Sequence, residues 1–225
     1  MDTSTSPRRR KGHKGLGMEG PIARWYAKTT LKDIGEFRRL AAELAGRVAE
    51  GGSVLEVAPG PGYLAIELAK LGARRVTGLD ISRSFVSMAT ENAARAGVTV
   101  TFLHGDVAEM PFDPDSFDLL VCRAAFKNFP EPVRALDEMH RVLRPGGAAL
   151  IIDLRSDASL SEINTYVDGM GLGRINSFVT KLIFKHGLIK WAHSPAQFRS
   201  MAAASRFGSC AIQESSIGLE VSLKK

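Results

Sequence analysis

The spacing of apolar residues along the chain changes near Ser53. Before that point, apolar side chains recur at helical spacing, at Ile34, Phe37, Leu40, Ala41 and Leu44. After it, short apolar runs alternate with stretches of helical period. The runs SVLEVA, RRVTGLD, VTVTFLHGD, FDLLVCRA and AALIIDL each predict a strand. Strands that are apolar throughout and alternate with helices indicate a parallel sheet covered on both faces.

The alternation of strands and helices stops after Leu154. Residues 155–205 predict a mostly helical insertion, and the runs SCAIQES and GLEVSLK predict a terminal β-hairpin. The expected fold class is therefore α/β: a Rossmann-like doubly wound sheet, mostly parallel with a C-terminal antiparallel hairpin, and with helices on both faces. We expect a disordered basic arm at 1–20, an N-terminal helical cap at 21–50, and a main domain at 51–225 that contains the insertion.

The net charge of +6 is concentrated at the beginning of the chain. Residues 1–15 carry five basic residues against Asp2, which gives +4 of the total: Arg8, Arg9, Arg10, Lys11 and Lys14. A basic segment rich in Gly, Ser and Thr is typical of a solvated tail, although it also suits an electrostatic arm for nucleic acid or an acidic surface. Because no basic platform interleaved with aromatic residues follows, the sequence does not favour a nucleic-acid partner.

The composition of the chain limits its expected cellular location and the roles of its cysteines. The apolar runs are well short of the roughly 20 residues that span a bilayer, and no apolar segment follows the basic start as it would in a secretory signal. The two cysteines, Cys122 and Cys210, predict neither a disulfide framework nor a thiolate metal cluster. We therefore expect a cytoplasmic protein without a membrane span.

The segment VLEVAPGPGYLAIELAK predicts a strand, a glycine turn and a helix. Gly60, Gly62 and Ala65 fit the fingerprint G-x-G-x-x-A, in which a helix N-terminus receives a nucleotide. Asp80, at the end of the next strand, suits the hydroxyls of a ribose. Both features fit NAD and S-adenosylmethionine (SAM) equally. Glu56 favours SAM, which brings an α-amino group, unless this carboxylate simply faces solvent. Asp80 also suits a different role, as a cap of the next helix.

Three further motifs occur in order along the chain: HGDV at 104–107, FDLLV at 117–121 and LRPGG at 143–147. Together with the glycine turn, they resemble the class I SAM-dependent methyltransferases over residues 53–154. The segment FKNFPEPVRALDEMHRVLRPGG is similar to the small-molecule methyltransferases of ubiquinone and menaquinone biosynthesis. A nicotinamide enzyme would need a second nucleotide-binding half after the fifth strand, where this sequence has the insertion and the hairpin instead.

The resemblance implies a SAM site, with S-adenosylhomocysteine as the product. Glu56 and the glycine turn would hold the methionine end, Asp80 the ribose, and Ile81 and Asp106 the adenine. The implied cofactor-binding residues are Glu56, Ala58, Pro59, Gly60, Gly62, Asp80, Ile81, Asp106, Val107, Cys122 and Arg123. Ala58 departs from the family, in which a glycine is common at this position. The alanine is tolerated there provided that its backbone is not left-handed.

The implied reaction is an in-line displacement at the sulfonium, for which the protein aligns the nucleophile and excludes water. A general base is needed only for an acceptor that is protonated at neutral pH. The sequence does not identify this base: Lys127, His186 and His193 are the candidates, and each also suits a structural role or simple surface exposure. No cluster of Asp, Asn and His suggests a metal, so no metal site is expected.

The acceptor pocket is expected outside the core, between the N-terminal cap and the insertion. Its candidate residues are Trp25, Tyr26, Tyr166, Met170 and Phe178. They predict a small aromatic or lipophilic acceptor, methylated at oxygen, nitrogen or sulfur, although the same residues also suit core packing. Two other functions stay open: a methyltransferase for RNA or protein guided by the basic arm, and a non-catalytic SAM-binding protein. The sequence carries no signal for an oligomeric state.

Overall fold

The computed structural model describes residues 18–72, 75–171 and 173–225, without the side chains of Arg174, Ile175 and His186. Most of the expected arm at 1–20 lies outside these residues.

Seven strands form one sheet within the described residues: β1 (Ser53–Val57), β2 (Arg75–Asp80), β3 (Thr101–His104), β4 (Phe117–Arg123), β5 (Leu143–Leu154), β6 (Ala211–Glu214) and β7 (Gly218–Lys224). Their order across the sheet is β3-β2-β1-β4-β5-β7-β6. The first five strands are parallel. β7 runs antiparallel to β5 and to β6, so the chain ends in the predicted hairpin. The predicted fold class is confirmed.

Helices connect the parallel strands and cover the sheet: α1 (Gly20–Thr30), α2 (Ile34–Ala45), α3 (Tyr63–Lys70), α4 (Arg83–Ala96), α5 (Pro132–Val142), α6 (Leu160–Asp168), α7 (Arg174–Ile183), α8 (Ile189–Trp191) and α9 (Pro195–Ala204). A π-helical turn at Phe184–Leu188 joins α7 to α8. The predicted ends of α4 are confirmed: the Ser82 hydroxyl accepts a hydrogen bond from the Phe85 amide at 3.1 Å, and Gly97 has φ +68°.

Successive residues of the central strands point to opposite faces of the sheet, and both faces are buried. Leu55 and Leu120 lie in one core, which α5 and α9 cover with Leu136 and Phe198 among others. Their neighbours Val54 and Leu119 lie in the other core, which α2 and α3 cover. This two-sided burial is the physical reason why the strands of this sequence are apolar without alternation.

β5 begins earlier than the sequence indicates. The apolar run AALIIDL predicts a start at Ala148, but the strand begins at Leu143, which pairs with Phe117 of β4. The register between these strands shifts after that first pair, which accommodates the segment from Arg144 to Gly147. Pairing with a partner strand therefore extends β5 through a Pro-Gly-Gly segment that would otherwise indicate a turn.

Candidate cofactor site at the carboxyl edge of the sheet

The parallel strands β1 to β5 end at one edge of the sheet, and the candidate site is assembled from the residues at these ends. Glu56 lies on β1, Asp80 ends β2, Asp106 follows β3, Arg123 ends β4 and Asp153 lies near the end of β5. In open parallel sheets, ligands bind at this edge, where the strand order reverses. Here the order reverses between β1 and β4, beside the glycine turn.

The glycine turn joins β1 to α3, and its backbone conformation and close packing require small residues. Gly60 and Gly62 have φ values of +55° and +79°. A Cβ on Gly62 would lie 2.7 Å from the Phe102 ring and 2.8 Å from the Cβ of Ala89, so a side chain does not fit. The turn thus brings backbone amides and the N-terminus of α3 to the edge of the sheet, where they can receive an anionic group.

Ala58 occupies a left-handed backbone conformation, with φ +53°. The condition stated for tolerating an alanine at this position is therefore not met. Its amide donates a 2.8 Å hydrogen bond to the Leu79 carbonyl, which continues the β1–β2 pairing to the point where the chain turns. The tertiary pairing holds the alanine in a conformation that costs about 1–2 kcal/mol in a residue with a Cβ.

Glu56 is buried at the centre of the site. Its Oε2 accepts a 2.8 Å hydrogen bond from the Ala65 amide, in the first turn of α3. Burial raises the pKa of Glu56 to about 8, although the hydrogen bond from Ala65 and the positive charge of Arg123 oppose that rise. A bound ammonium group would supply the positive charge that this buried carboxylate needs to ionise.

Asp80 ties the end of β2 to the glycine turn. Its Oδ2 accepts a 2.9 Å hydrogen bond from the Gly60 amide, and its Oδ1 accepts a 2.8 Å bond from the Ser82 amide. Burial raises the pKa of Asp80 as well. Each carboxylate oxygen keeps a further lone pair for the hydroxyls of a sugar. The adjacent Ile81 is 39% exposed, so it offers an apolar surface at the same edge.

The end of β3 contributes Asp106 and Val107. The Asp106 Oδ1 accepts a 2.9 Å hydrogen bond from the Ala108 amide, which fixes its side chain, while the residue stays exposed. Val107 is buried in the core beneath it. An exposed carboxylate held in place by a backbone amide can accept a hydrogen bond from an exocyclic amine.

At the end of β4, the side chains of two neighbouring residues take different directions. Cys122 is fully buried, and burial raises the pKa of its thiol. The Arg123 Nη2 donates a 2.9 Å hydrogen bond to Oε2 of Glu36, and its guanidinium lies 4.6 Å from the centre of the Phe37 ring. Glu36 and Phe37 belong to α2. This contact could not be predicted from the sequence, because its partners are 87 positions apart and no local pattern indicates it.

Lys127 lies beside the site but is engaged in a buried ion pair. Its Nζ donates hydrogen bonds to Asp153 Oδ1 at 2.9 Å and to the Ala124 carbonyl at 2.6 Å, and its amide donates to Asp153 Oδ2 at 3.0 Å. An ammonium that makes these bonds has no lone pair to offer a substrate. The arrangement favours a positioning role that ties the end of β4 to the end of β5. The catalytic role stays a prediction.

The two candidate histidines belong to the insertion. The ring of His193 packs edge-on against Phe126 and Phe198, with centroid separations of 5.9 and 5.6 Å. It therefore lies against the apolar core next to the end of β4. The side chain of His186 lies outside the described part of the chain.

Helix α1 lies over the glycine turn. The Tyr63 hydroxyl donates a 3.0 Å hydrogen bond to the Ala27 carbonyl, and the Tyr26 ring lies 3.8 Å from where a Cβ of Gly60 would be. The residue just before α1, Glu19, accepts hydrogen bonds from the amides of Arg83 and Ser84 at the start of α4, at 2.9 and 3.0 Å. This segment therefore covers the glycine turn from the N-terminal side. No sequence motif indicated the hydrogen bonds between Glu19 and α4.

The candidate acceptor residues occupy different surroundings. Tyr26 stacks edge-on with Phe85 at 5.7 Å, whereas Trp25 on the same helix is 67% exposed. Burial, followed by the charges of Glu36 and Asp33, raises the pKa of Tyr166, which places α6 near the beginning of α2. Met170 and Phe178 are exposed farther along the insertion. Tyr26 thus lies beside the glycine turn, and Tyr166 lies within electrostatic range of Glu36 and Asp33.

Metal-binding clusters and membrane-spanning helices are both absent from the part of the chain that the structure describes. No group of three or more His, Cys, Asp or Glu side chains in residues 18–72, 75–171 and 173–225 is placed to hold a metal ion. In the same residues, no helix is long and apolar enough to cross a membrane.

The comparisons with known proteins agree with this geometry. Residues 55–151 match the sequence profile of a family described as a methyltransferase domain. The chain is 36% identical over 120 residues to the demethylmenaquinone methyltransferase of Chlorobaculum tepidum, covering 52% of this chain and 48% of that one. It is 38% identical over 104 residues to the ubiquinone/menaquinone biosynthesis C-methyltransferase UbiE of Bdellovibrio bacteriovorus, covering 46% and 44%. The chain thus spans about half the length of these curated relatives.

Solved structures share the fold over most of the chain. A SAM-dependent methyltransferase from Aquifex aeolicus superposes with a TM-score of 0.62 at 18% identity, covering 83% of this chain and 88% of that one. The plantazolicin methyltransferase BpumL, solved in complex with S-adenosylhomocysteine, superposes with a TM-score of 0.70 at 14% identity, covering 90% and 89%. The fold and the family match over residues 55–151 together support the resemblance of this segment to the class I SAM-dependent methyltransferase domains. The resemblance inferred from the motifs is confirmed.

Proposed function

We propose that the chain transfers a methyl group from SAM to a small aromatic or lipophilic acceptor. The observation that carries the proposal is the pair of buried carboxylates, Glu56 and Asp80. Both are hydrogen bonded to amides of the glycine turn or of the helix that follows it, at 2.8 and 2.9 Å. Two acidic groups held this way fit a ligand that has an ammonium at one end and a ribose at the other.

The residues present fit SAM along its whole length. Glu56 would accept from the α-amino group, and the amides at the N-terminus of α3 would receive the carboxylate. Asp80 would accept from the ribose hydroxyls through the lone pairs that its backbone contacts leave unused. Ile81 would pack on the adenine, and the exposed Asp106 would accept from its amino group.

Positioning accounts for most of the proposed catalysis. When bound, SAM supplies a methyl group that its positive sulfonium already activates. Helix α1 closes over the turn through Tyr26 and would exclude water from the reacting atoms. The Lys127–Asp153 pair fixes the ends of β4 and β5, where the acceptor would have to lie for an in-line approach. Alignment of this kind contributes about 7–11 kcal/mol in well-oriented reactions.

Two observations support the proposed class of acceptor: the aromatic side chains near the site and the names of the relatives. Tyr26 offers aromatic surface beside the glycine turn, and Tyr166 offers aromatic surface near Glu36 and Asp33. The relatives named above act, by their names, on demethylmenaquinone and in ubiquinone and menaquinone biosynthesis. The name of the second relative, a C-methyltransferase, adds a carbon acceptor to the oxygen, nitrogen and sulfur acceptors expected from the sequence.

An acceptor screen with methyl-labelled SAM tests the proposal. We expect label transfer to a hydroquinone or phenol that carries an apolar chain, and much less transfer to polar amines and thiols. Glu56→Gln serves as the matched control, because it preserves the size of the side chain but loses the charge that binds SAM. Absence of SAM binding by calorimetry would overturn the proposal at the cofactor. SAM binding without transfer to any acceptor would instead indicate a non-catalytic SAM-binding protein.

A further inference from the structure

The helices of the insertion expose an apolar face that no described part of the chain covers. On α7, Phe178, Val179, Leu182 and Ile183 are 64%, 47%, 42% and 51% exposed. Their spacing of one, three and four residues places them on one side of the helix. Trp191, at the end of α8, is 52% exposed. Several large apolar side chains this close together are unusual on the free surface of a monomer and mark a site of interaction.

The part of the chain that carries this face is basic in sequence. Between Asp168 and Glu214 the sequence has no Asp or Glu but has six basic residues: Arg174, Lys181, Lys185, Lys190, Arg199 and Arg206. Lys185 and Lys190 are exposed, and the Lys190 ammonium lies 6.0 Å from the centre of the Trp191 ring. Lys181 neutralises Asp168, the nearest acidic residue, at 2.7 Å. The surface formed by α7 and α8 is therefore both apolar and positively charged.

We propose that the surface of α7 and α8 docks on the anionic surface of a lipid bilayer, with the apolar side chains inserted and the lysines at the headgroups. Amphipathic helices with Lys on one border and Phe, Leu or Trp on the other bind membranes in this way. The long lysine side chains reach past the apolar face toward the phosphates.

Other occupants fit these observations less well. A second copy packed on this face through a two-fold axis would bring the same cations together. Nucleic acid would match the charge but would leave the aliphatic side chains Val179, Leu182 and Ile183 without a partner. A bilayer matches both the charge and the apolar residues.

The position of this surface supports the same assignment. The insertion follows the carboxyl end of β5, and Ile189 of α8 packs in one apolar cluster with Leu154 at that end, which brings α8 close to the edge of the sheet that carries the candidate site. Helix α1, which covers the glycine turn at this edge, also exposes apolar residues, Ile22 at 62% and Trp25 at 67%. Docking would bring the opening of the site to the membrane surface, where a lipophilic acceptor is dissolved. The docking itself does not depend on the proposed function.

Vesicle sedimentation with the full chain tests the proposal. We expect binding to vesicles with about one third phosphatidylglycerol, weaker binding to pure phosphatidylcholine, and loss of binding at high salt. Phe178→Ser should weaken binding about tenfold. Lys185→Gln with Lys190→Gln should weaken it about fivefold for each charge removed, on the anionic vesicles only.

Two control variants lie at the opposite edge of the sheet. Leu71 is 48% exposed and follows the end of α3, and Lys224 is exposed and pairs with the beginning of β5. Leu71→Ser and Lys224→Gln should bind vesicles as the wild type does. Thermal melts and SAM titrations of every variant verify the fold and keep this test separate from that of the cofactor site.

The remaining outcomes overturn the proposal. If the wild type does not bind anionic vesicles, or if the α7 and α8 variants bind as well as the wild type, the surface is not a membrane-docking site. The second result would assign vesicle binding to another basic segment. If sedimentation velocity shows a dimer that Phe178→Ser converts to a monomer, the surface is an interface between two copies.

Discussion

The role proposed for Glu56 predicts that the binding of SAM depends on pH. Because the pKa of this buried carboxyl is raised to about 8, the free protein holds a proton there at neutral pH. An ammonium ligand favours the ionised form, so binding must release that proton. The affinity for SAM should therefore rise between pH 5.5 and 7.5, by up to tenfold per pH unit, and level off above pH 8. Calorimetry in buffers of different ionisation enthalpy measures both the affinity and the proton released.

The variant Glu56→Gln shows whether the pH dependence of the SAM affinity comes from Glu56 or from another titrating group. The variant should bind SAM about ten- to a hundredfold more weakly, since it loses a charge-assisted hydrogen bond, and its remaining affinity should no longer rise with pH. Adenosine has no ammonium and should bind both proteins alike. Equal losses for SAM and adenosine, or a wild-type affinity that is flat with pH, would contradict the role given to Glu56.

Ala58 stores backbone strain in the turn that begins the site. With φ +53°, it occupies a region that glycine adopts freely and alanine does not. Ala58→Gly should therefore stabilise the protein by about 1 kcal/mol, as measured by urea unfolding. Ala94→Gly is the matched control, because Ala94 is an exposed residue inside α4, where the same change should destabilise by about 1 kcal/mol. Losses of similar size at both positions would show that Ala58 is not strained.

At the scale of elements, the ends of β4 and β5 are joined by the ion pair between Lys127 and Asp153. The side chains are only 9% and 2% exposed. Lys127→Met would leave the Asp153 carboxylate buried without its partner and should destabilise the protein by about 3–5 kcal/mol. Adding Asp153→Asn removes the stranded charge, so the double variant should recover part of that loss. Urea unfolding of the two single variants and the double variant gives the coupling, and simple addition of the two losses would argue against a buried pair.

The elements that sequence patterns predicted well are those whose signals are local. The glycine turn, Asp80 at the end of β2 and the caps of α4 each lie within a few residues of the structure that they determine, and all were found. The contacts that were missed depend on tertiary packing. Arg123 meets Glu36 across 87 positions, and Glu19 reaches the start of α4 across 64. The extension of β5 to Leu143 likewise follows from pairing with Phe117, not from its own composition.

At the scale of the whole molecule, the faces of the sheet and its carboxyl edge have different roles. Its two faces carry the buried cores, while its carboxyl edge collects charged and polar groups from β1 to β5. Segments outside the matched residues 55–151 lie next to that edge: α1 covers the glycine turn, and the insertion follows the end of β5. The motifs of the sequence predict the cofactor. The neighbouring segments, which we propose to form the acceptor site, carry no such pattern.

Ligand-dependent stability of the intact chain distinguishes the two nucleotides that the glycine turn alone leaves open. A ligand that binds only the folded state at about 100 times its Kd stabilises that state by about 2.7 kcal/mol. For a chain of this size, that corresponds to a rise in Tm of about 5–10 °C. SAM and S-adenosylhomocysteine should both produce such a shift, whereas NAD at the same concentration should not, because Glu56 would meet no ammonium. A shift with NAD that equals the shift with SAM would mean that the buried carboxylate does not select the ligand.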